Sequence, residues 1–407
     1  MDALVILGSS IAAMAPLAII TSTGTVLTKM KIFNSETNDL IAHACAKFFF
    51  PIFIFVQLAS SIQLDRLGEY WPLLINPLVC IAIASLLGFL HIPLFKPPKS
   101  LRFTMVSLIA FNNAGNIPVL ILKGVCASYG PLGDEETCDE ADAYVFIQVM
   151  TFNLLIWVYG YSIMQLDLRH KSEKVHNQFN LIATNTNTNT NQQSQGYQMP
   201  QDNAEDNAED NAEDDPEESQ KSTPQEETQS NDSLTTIQII KKNVLSPIPI
   251  CSAFGFILGL IPGLKSVFFD SSAPLLPLSD SAETIGFTGI VVSQMILGSN
   301  LILTKGAERK VSNWYTVVVV ALRTVIIPLI GMLYTWSLWE AGAFQGDVVM
   351  AYVGFLSFLS PTAVTVLIMC QLLNNGIEEA TSIMLYMYLT SIFTITGFSY
   401  TFFLIFV

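Results

Sequence analysis

The sequence predicts an all-α polytopic membrane protein with ten transmembrane helices, arranged as two inverted five-helix repeats in which helices 4 and 9 are broken. Three observations carry this reading. Of 407 residues, 51% are hydrophobic and only 13% are charged, with a mean hydropathy of +0.47, a balance typical of chains that face lipid. Ten apolar segments are long enough to cross a hydrocarbon layer of roughly 30 Å, and the fourth and ninth are interrupted at their centres by residues that disfavour helix.

Taken in order, the segments lie at about 4–28, 38–62, 70–94, 101–126, 141–166, 240–263, 281–304, 311–338, 347–372 and 378–405. The first begins MDALVILGSS, without a basic leader, and so reads as a helix and not as a cleavable signal. In the second, His43, Lys47 and Pro51 are spaced by four and share one face of a regular helix. An ionisable side chain at membrane depth is a functional candidate, which singles out Lys47, with a snorkelled anchor as the other reading.

The fourth segment, LRFTMVSLIAFNNAGNIPVLILKGVC, holds Asn112, Asn113, Asn116 and Pro118 between two apolar arms. Unwound backbone at bilayer depth is tolerated where it is buried in protein or lines a wet cavity. A second half-helix restarting near Asn116 would present free N–H groups and a partial positive charge, which suits a carboxylate. The competing reading is that the amides only re-satisfy unwound backbone.

Between 127 and 140 a modest loop is expected, with Cys126 beside it and Cys138 within it. If that side is the endoplasmic reticulum lumen or the cell exterior, a disulfide closing the loop is expected. The fifth segment adds Gln148 and Asn153 to the polar groups that could line a cavity or tie helices together. Residues 167–239 form an acidic linker with a TNTNTNTN run and three DNAE units, too polar to bury a core. The acids cluster between Ala204 and Glu227, so the net charge of −15 describes the linker and not the cargo. The domains are therefore 1–166, 167–239 and 240–407.

In the second half, Ser293, Gln294 and Asn300 of the seventh segment could likewise line a cavity or tie helices together. Arg323 stands mid-span in the eighth, ahead of Pro328 and Gly331, where a structural tie to exposed carbonyls of the broken ninth segment competes with ligand contact. The ninth, GFLSFLSPTAVTVLIMCQ, carries Ser360, Pro361, Thr362 and Thr365 at its centre. Pro118 follows Leu4 by nearly the interval at which Pro361 follows Leu245, so the breaks hold equivalent places in their halves. An odd number of helices per half inverts the second relative to the first, as in many secondary transporters, and directs attention to a site near the midplane.

Orientation follows from the basic residues. With the N-terminus on one side, the opposite side receives Lys29, Lys31, Lys96, Lys99, Arg102, Arg169, Lys171, Lys174, Lys241, Lys242, Lys305, Arg309 and Lys310. The N-terminal side keeps Arg66, Lys123 and Lys265. The positive-inside rule places the basic side and the linker in the cytosol, with both termini lumenal or extracellular.

Long ordered stretches, APLLPLSDSAETIGFTGIVVSQMILGSNLI, SPTAVTVLIMCQLLNNGIEEATSIMLYMYL, KPPKSLRF and NNAGNIPVLIL, together resemble the auxin efflux carrier (membrane transport) family, closest to its PIN-LIKES branch. The resemblance covers both halves and excludes the linker. It implies crossing broken helices 4 and 9, an architecture like that of the bile-acid symporters and NhaA, with a scaffold side and a mobile transport side. It also implies an auxin-like organic anion of the indole-3-acetate type as cargo and an endoplasmic reticulum membrane. Asn113 and Ala114 depart from the usual Leu-Gly of the first motif, and Thr365 stands where the branch often has Asn.

The expected substrate-binding set is Asn112, Asn113, Asn116, Ile117, Pro118, Ser360, Pro361, Thr362, Thr365, Gln148, Gln294 and Lys47, with Arg323, Cys126 and Cys138 structural. The other cysteines, Cys45, Cys80, Cys251 and Cys370, fall within helices and read as small core residues. No metal spacing, nucleotide loop or catalytic set is visible, so no enzyme activity, metal, cofactor or nucleic acid is expected. The partners expected are the bilayer and a small organic anion, with a homodimer as candidate assembly. A carrier of small carboxylates such as malate and a membrane ligand sensor are the alternative functions.

Overall fold

Helix occupies every apolar segment. The structure, a computed structural model, describes residues 3–62, 68–128, 135–168 and 236–407. In chain order the helices are α1 (Ala3–Lys29), α2 (Ser35–Ser61), α3 (Trp71–Phe95), α4 (Arg102–Ala110), α5 (Asn116–Ser128) and α6 (Glu135–Leu155, continuing to Leu168). After the linker come α7 (Thr236–Val244), α8 (Pro247–Leu260), α9 (Pro262–Phe269), α10 (Leu276–Leu303), α11 (Asn313–Glu340), α12 (Val348–Leu359), α13 (Val364–Leu372) and α14 (Ile377–Phe406). Among the described residues six helices are long and apolar enough to cross a membrane, and the α7–α8 pair makes a seventh if counted as one span bent by 49°.

Several boundaries depart from expectation for identifiable reasons. Pro247 cannot donate an amide, so the span expected at 240–263 bends there, and Pro262 starts the short α9 beyond it. The described residues of the loop expected at 127–140 are helical, since α5 runs to Ser128 and α6 starts at Glu135. Of the linker, residues 169–235 lie outside the described residues, as do the side chains of Cys126 and Cys138 and hence the disulfide between them.

Three helices widen into π turns, at Cys45–Phe49, Ile156–Gly160 and Leu322–Ile326. Two of these end two residues before a proline, Pro51 and Pro328. The ring of a mid-helix proline crowds the carbonyl four residues back, and widening the turn relieves that contact.

Small residues set the closest contacts. A Cβ on Gly24 would overlap the Met295 carbonyl, and one on Gly298 would overlap the Thr21 carbonyl, so α1 and α10 touch backbone to backbone. Gly255 brings α8 against the Phe55 carbonyl, while Gly286 and Gly289 bring α10 against Phe53 and Phe49 of α2. Helices α1, α2, α8 and α10 thus form one closely packed group. Helices α3, α4, α6, α11, α12 and α14 pack into a second around Tyr352, Phe355, Phe358 and Phe402. The interrupted pairs α4–α5 and α12–α13 lie where the two groups meet.

Candidate functional site: the crossing of two interrupted helices

Each interruption is a few extended residues between two half-helices. In the first, α4 ends at Ala110 and α5 begins at Asn116; in the second, α12 ends at Leu359 and α13 begins at Val364. Ser360 and Ala363 adopt extended backbone, with ψ of 140° and 137°. The extended pieces pair with one another as one antiparallel bridge, Asn112 opposite Thr362. The Asn113 N–H donates to the Pro361 carbonyl at 2.7 Å, and the Ala363 N–H donates to the Phe111 carbonyl at 3.0 Å. Backbone groups released by the two breaks therefore satisfy each other, as buried polar groups in hydrocarbon must.

Side chains complete the crossing. The Thr362 hydroxyl donates to the Leu108 carbonyl, and the Tyr388 hydroxyl donates to the Thr362 carbonyl at 3.1 Å. Arg323 is fully buried. Its Nε donates to the Ser360 carbonyl at 3.0 Å, and its Nη atoms reach the carbonyls of Ser357 at 3.2 Å and Ile109 at 3.3 Å. One guanidinium thus satisfies carbonyls at the ends of both α4 and α12, the negative poles of those half-helices.

Beside the crossing opens a cavity lined by residues of both breaks. One wall is polar backbone and amide: Asn113, Ala114, Gly115 and Asn116 from the first break, with Ala363, Val364 and Thr365 from the second. The opposite wall is Phe50, Phe53 and Ile54 of α2 with Ile290, Ser293 and Gln294 of α10, closed by Val149, Phe152, Asn153 and Trp157 of α6. Phe50 and Trp157 pack ring to ring at 6.1 Å.

The first intrahelical bond of α5 is Val119 N–H to the Gly115 carbonyl, and that of α13 is Val366 N–H to the Ala363 carbonyl. The N–H groups of Asn116, Val364 and Thr365 precede those bonds at residues that line the cavity. Two positive helix poles consequently border one space, and α13 has no side chain capping its start.

The expected residues divide clearly. Asn113, Asn116, Thr365 and Gln294 line the cavity, and Gln294 is held by donating to the Thr21 hydroxyl at 2.8 Å. Asn112, Ser360, Pro361 and Thr362 are buried in the crossing behind that wall, and the Asn112 Nδ2 has no partner among the described residues. Ile117 and Pro118 are buried in the first turn of α5. Gln148 lies elsewhere, accepting from Asn76 at 2.9 Å and from the Ser357 hydroxyl.

Lys47 is not brought to the cavity. It is exposed within the π turn of α2, whereas Pro51 is buried. One extra residue in a turn rotates what precedes it by roughly 100°, which separates Lys47 from the face of Pro51 that regular spacing predicts. Asn300 also lies away from the cavity, bonded to Asn38 at 2.9 Å. The aromatic wall of Phe50, Phe53, Phe152 and Trp157 was not singled out by the sequence, because apolar residues facing lipid and apolar residues facing a cargo look alike there. Among the described residues no cluster of His, Cys, Asp or Glu could hold a metal ion.

Comparison with known proteins gives the family of the chain. The chain is 25% identical over 361 residues to Protein PIN-LIKES 3 of Arabidopsis thaliana, covering 86% of this chain and 87% of that protein. It is 24% identical over 380 residues to Protein PIN-LIKES 5 of the same plant, covering 91% and 90%. An uncharacterized transporter of Schizosaccharomyces pombe is 22% identical over 397 residues, covering 88% and 85%. The membrane transport protein family matches residues 9–399, and the chain, a multi-pass integral membrane protein, belongs to that family, which includes the auxin efflux carriers.

Proposed function

We propose that this protein is a secondary transporter or facilitator that carries an auxin-like organic anion by alternating access, with the cargo bound at the crossing of the two interrupted helices. The single observation that carries the reading is the cavity between two half-helix N-termini and an aromatic wall. A carboxylate placed against Asn116, Val364 and Thr365 would meet free N–H donors and two positive poles. A flat apolar ring extending from it would rest against Phe53, Phe152 and Trp157. Such a wall suits an arylacetate better than malate, whose second carboxylate would be desolvated against rings.

The cavity lies between the group α1, α2, α8, α10 and the remaining helices, so relative motion of the two groups would expose it to alternate sides. We take the two halves as inverted five-helix repeats, a reading supported by the matched positions of the breaks. The concentration of Lys and Arg on one side supports cytosolic loops there and lumenal termini, and the resemblance to PIN-LIKES proteins supports the endoplasmic reticulum. The test is uptake into liposomes by purified protein, indole-3-acetate against malate, with Asn116→Ala beside wild type. Saturable indole-3-acetate flux, weakened by that substitution, is expected; malate flux in its place would replace the cargo assignment.

A further inference from the structure

Four half-helix ends meet at the crossing: the carbonyl ends of α4 and α12 and the amide ends of α5 and α13. A helix carries about half an elementary charge at each end, negative at the C-terminus and positive at the N-terminus. Left to themselves, the four ends would cancel. The Arg323 guanidinium changes that balance. Its donors go to the Ile109 carbonyl at the end of α4 and to the Ser357 and Ser360 carbonyls at the end of α12. Among the described residues no carboxylate is bonded to it.

One full positive charge therefore offsets the two negative ends. The two positive ends, which reach the cavity at Asn116, Val364 and Thr365, keep about one unit of charge, and no acidic residue is among those that line the cavity. Arg323 itself does not line the cavity. We propose that Arg323 fixes the cargo as a monoanion, making the crossing positive by one charge through the helix ends it neutralises and not by touching the cargo. The proposal rests on the transporter reading above and deepens it: a single carboxylate balances the site, whereas a dianion brings a second charge to a wall of Phe50, Phe53, Phe152 and Trp157. Arg323 is on this account a positioning residue for charge. A merely structural tie would hold neutral and anionic cargo equally well.

The experiment measures the affinity of purified protein for indole-3-acetate and for its neutral amide, with acetate and acetamide as a second pair that removes the ring. Wild type is compared with Arg323→Gln and Cys80→Asp. The Cys80 thiol lies beside the guanidinium and donates to the Ser357 carbonyl at 3.5 Å. An aspartate there would neutralise Arg323 while keeping it in place, so the test survives if Arg323→Gln fails to fold. A unit charge roughly 10 Å away in a medium of effective dielectric about 20 is worth about tenfold in affinity. Each variant is expected to weaken carboxylate binding by about that factor and to leave amide binding within about twofold. Equal losses for carboxylate and amide in Cys80→Asp would overturn the proposal, as would a wild type that binds malate as tightly as the monocarboxylates. Absence of ring-ligand binding with retained discrimination between acetate and acetamide would count against the auxin-like cargo alone and still support the role of Arg323.

Discussion

Gln371, in the last turn of α13, donates through Nε2 to the Asp39 carboxylate of α2 at 2.8 Å. Its Oε1 accepts from Asn300 of α10 at 3.4 Å, and Asn300 in turn accepts from Asn38 at 2.9 Å. Asn38 also donates to the Ser299 hydroxyl at 3.0 Å, to which Thr28 of α1 donates at 2.8 Å. This seam joins the second interrupted helix to α1, α2 and α10 near the basic loops, on the same helices α10 and α13 that line the cavity. It therefore has to part if α13 moves relative to that group.

The first prediction follows from the seam. Gln371→Leu removes a hydrogen bond to a charged group and favours the parted state by about tenfold. Alkylation of a reporter cysteine at Ser293, read by mass spectrometry with reagent added from the basic side, is expected to accelerate by about that factor. An unchanged rate would mean that the seam is not what holds this side closed.

Legibility in the sequence followed the chemistry of each residue. Asn112, Asn113 and Pro118, and likewise Ser360 and Pro361, marked the interruptions because their backbone preferences are local and strong. That Asn112 would lie opposite Thr362 is a tertiary fact with no local signature. Lys47 misled because the spacing argument assumed a regular turn, and the π turn at Cys45–Phe49 moved it to the exposed face. Phe152 and Trp157 stayed invisible because burial against a cavity and burial against lipid draw on the same residue types.

A second prediction concerns the close approach of α1 and α10. Gly298→Ala places a methyl group on the Thr21 carbonyl, where neither partner is a flexible side chain that could yield. The helices must separate, at a cost of about 1–3 kcal/mol, and the bond from the Thr25 hydroxyl to the Gly298 carbonyl at 3.1 Å lengthens with them. Thermal unfolding in detergent is expected to show this loss. Gly263→Ala, with open space around its Cβ, serves as the control.

The third prediction concerns Asp167, at the end of α6 and fully buried. Its carboxylate accepts from the Phe103 N–H at 3.1 Å, the Thr104 N–H at 2.7 Å and the Thr104 hydroxyl at 2.8 Å. The start of α4 has no cap from its own N-cap residue, Leu101, so this distant acid performs the capping. Asp167→Ala is expected to lower stability by about 1–2 kcal/mol, the usual range for a lost cap. Denaturation of the purified variant checks it; wild-type stability would show that α4 starts without help.

Pro361 provides the last prediction, because the second interruption depends on what the chain lacks at that position. The last helical bond of α12 runs from Ser360 N–H to the Leu356 carbonyl. An alanine at 361 would add a buried N–H whose helical acceptor is the Ser357 carbonyl, already engaged by Arg323 and by the Cys80 thiol. If the new amide takes that acceptor, α12 grows and draws Ala363 away from the Phe111 carbonyl, dissolving the bridge between the two breaks. If it does not, a donor is left buried without a partner. Both routes cost about 1–3 kcal/mol, but only the first also moves Val364 and Thr365 out of the cavity wall. Pro361→Ala is therefore expected to lose stability and to bind anion more weakly per folded molecule, measured by ligand affinity after size-exclusion at matched concentration. Full affinity with reduced stability would show that the bridge of Asn112 and Thr362 holds the break open by itself, with proline serving only to avoid the orphaned donor.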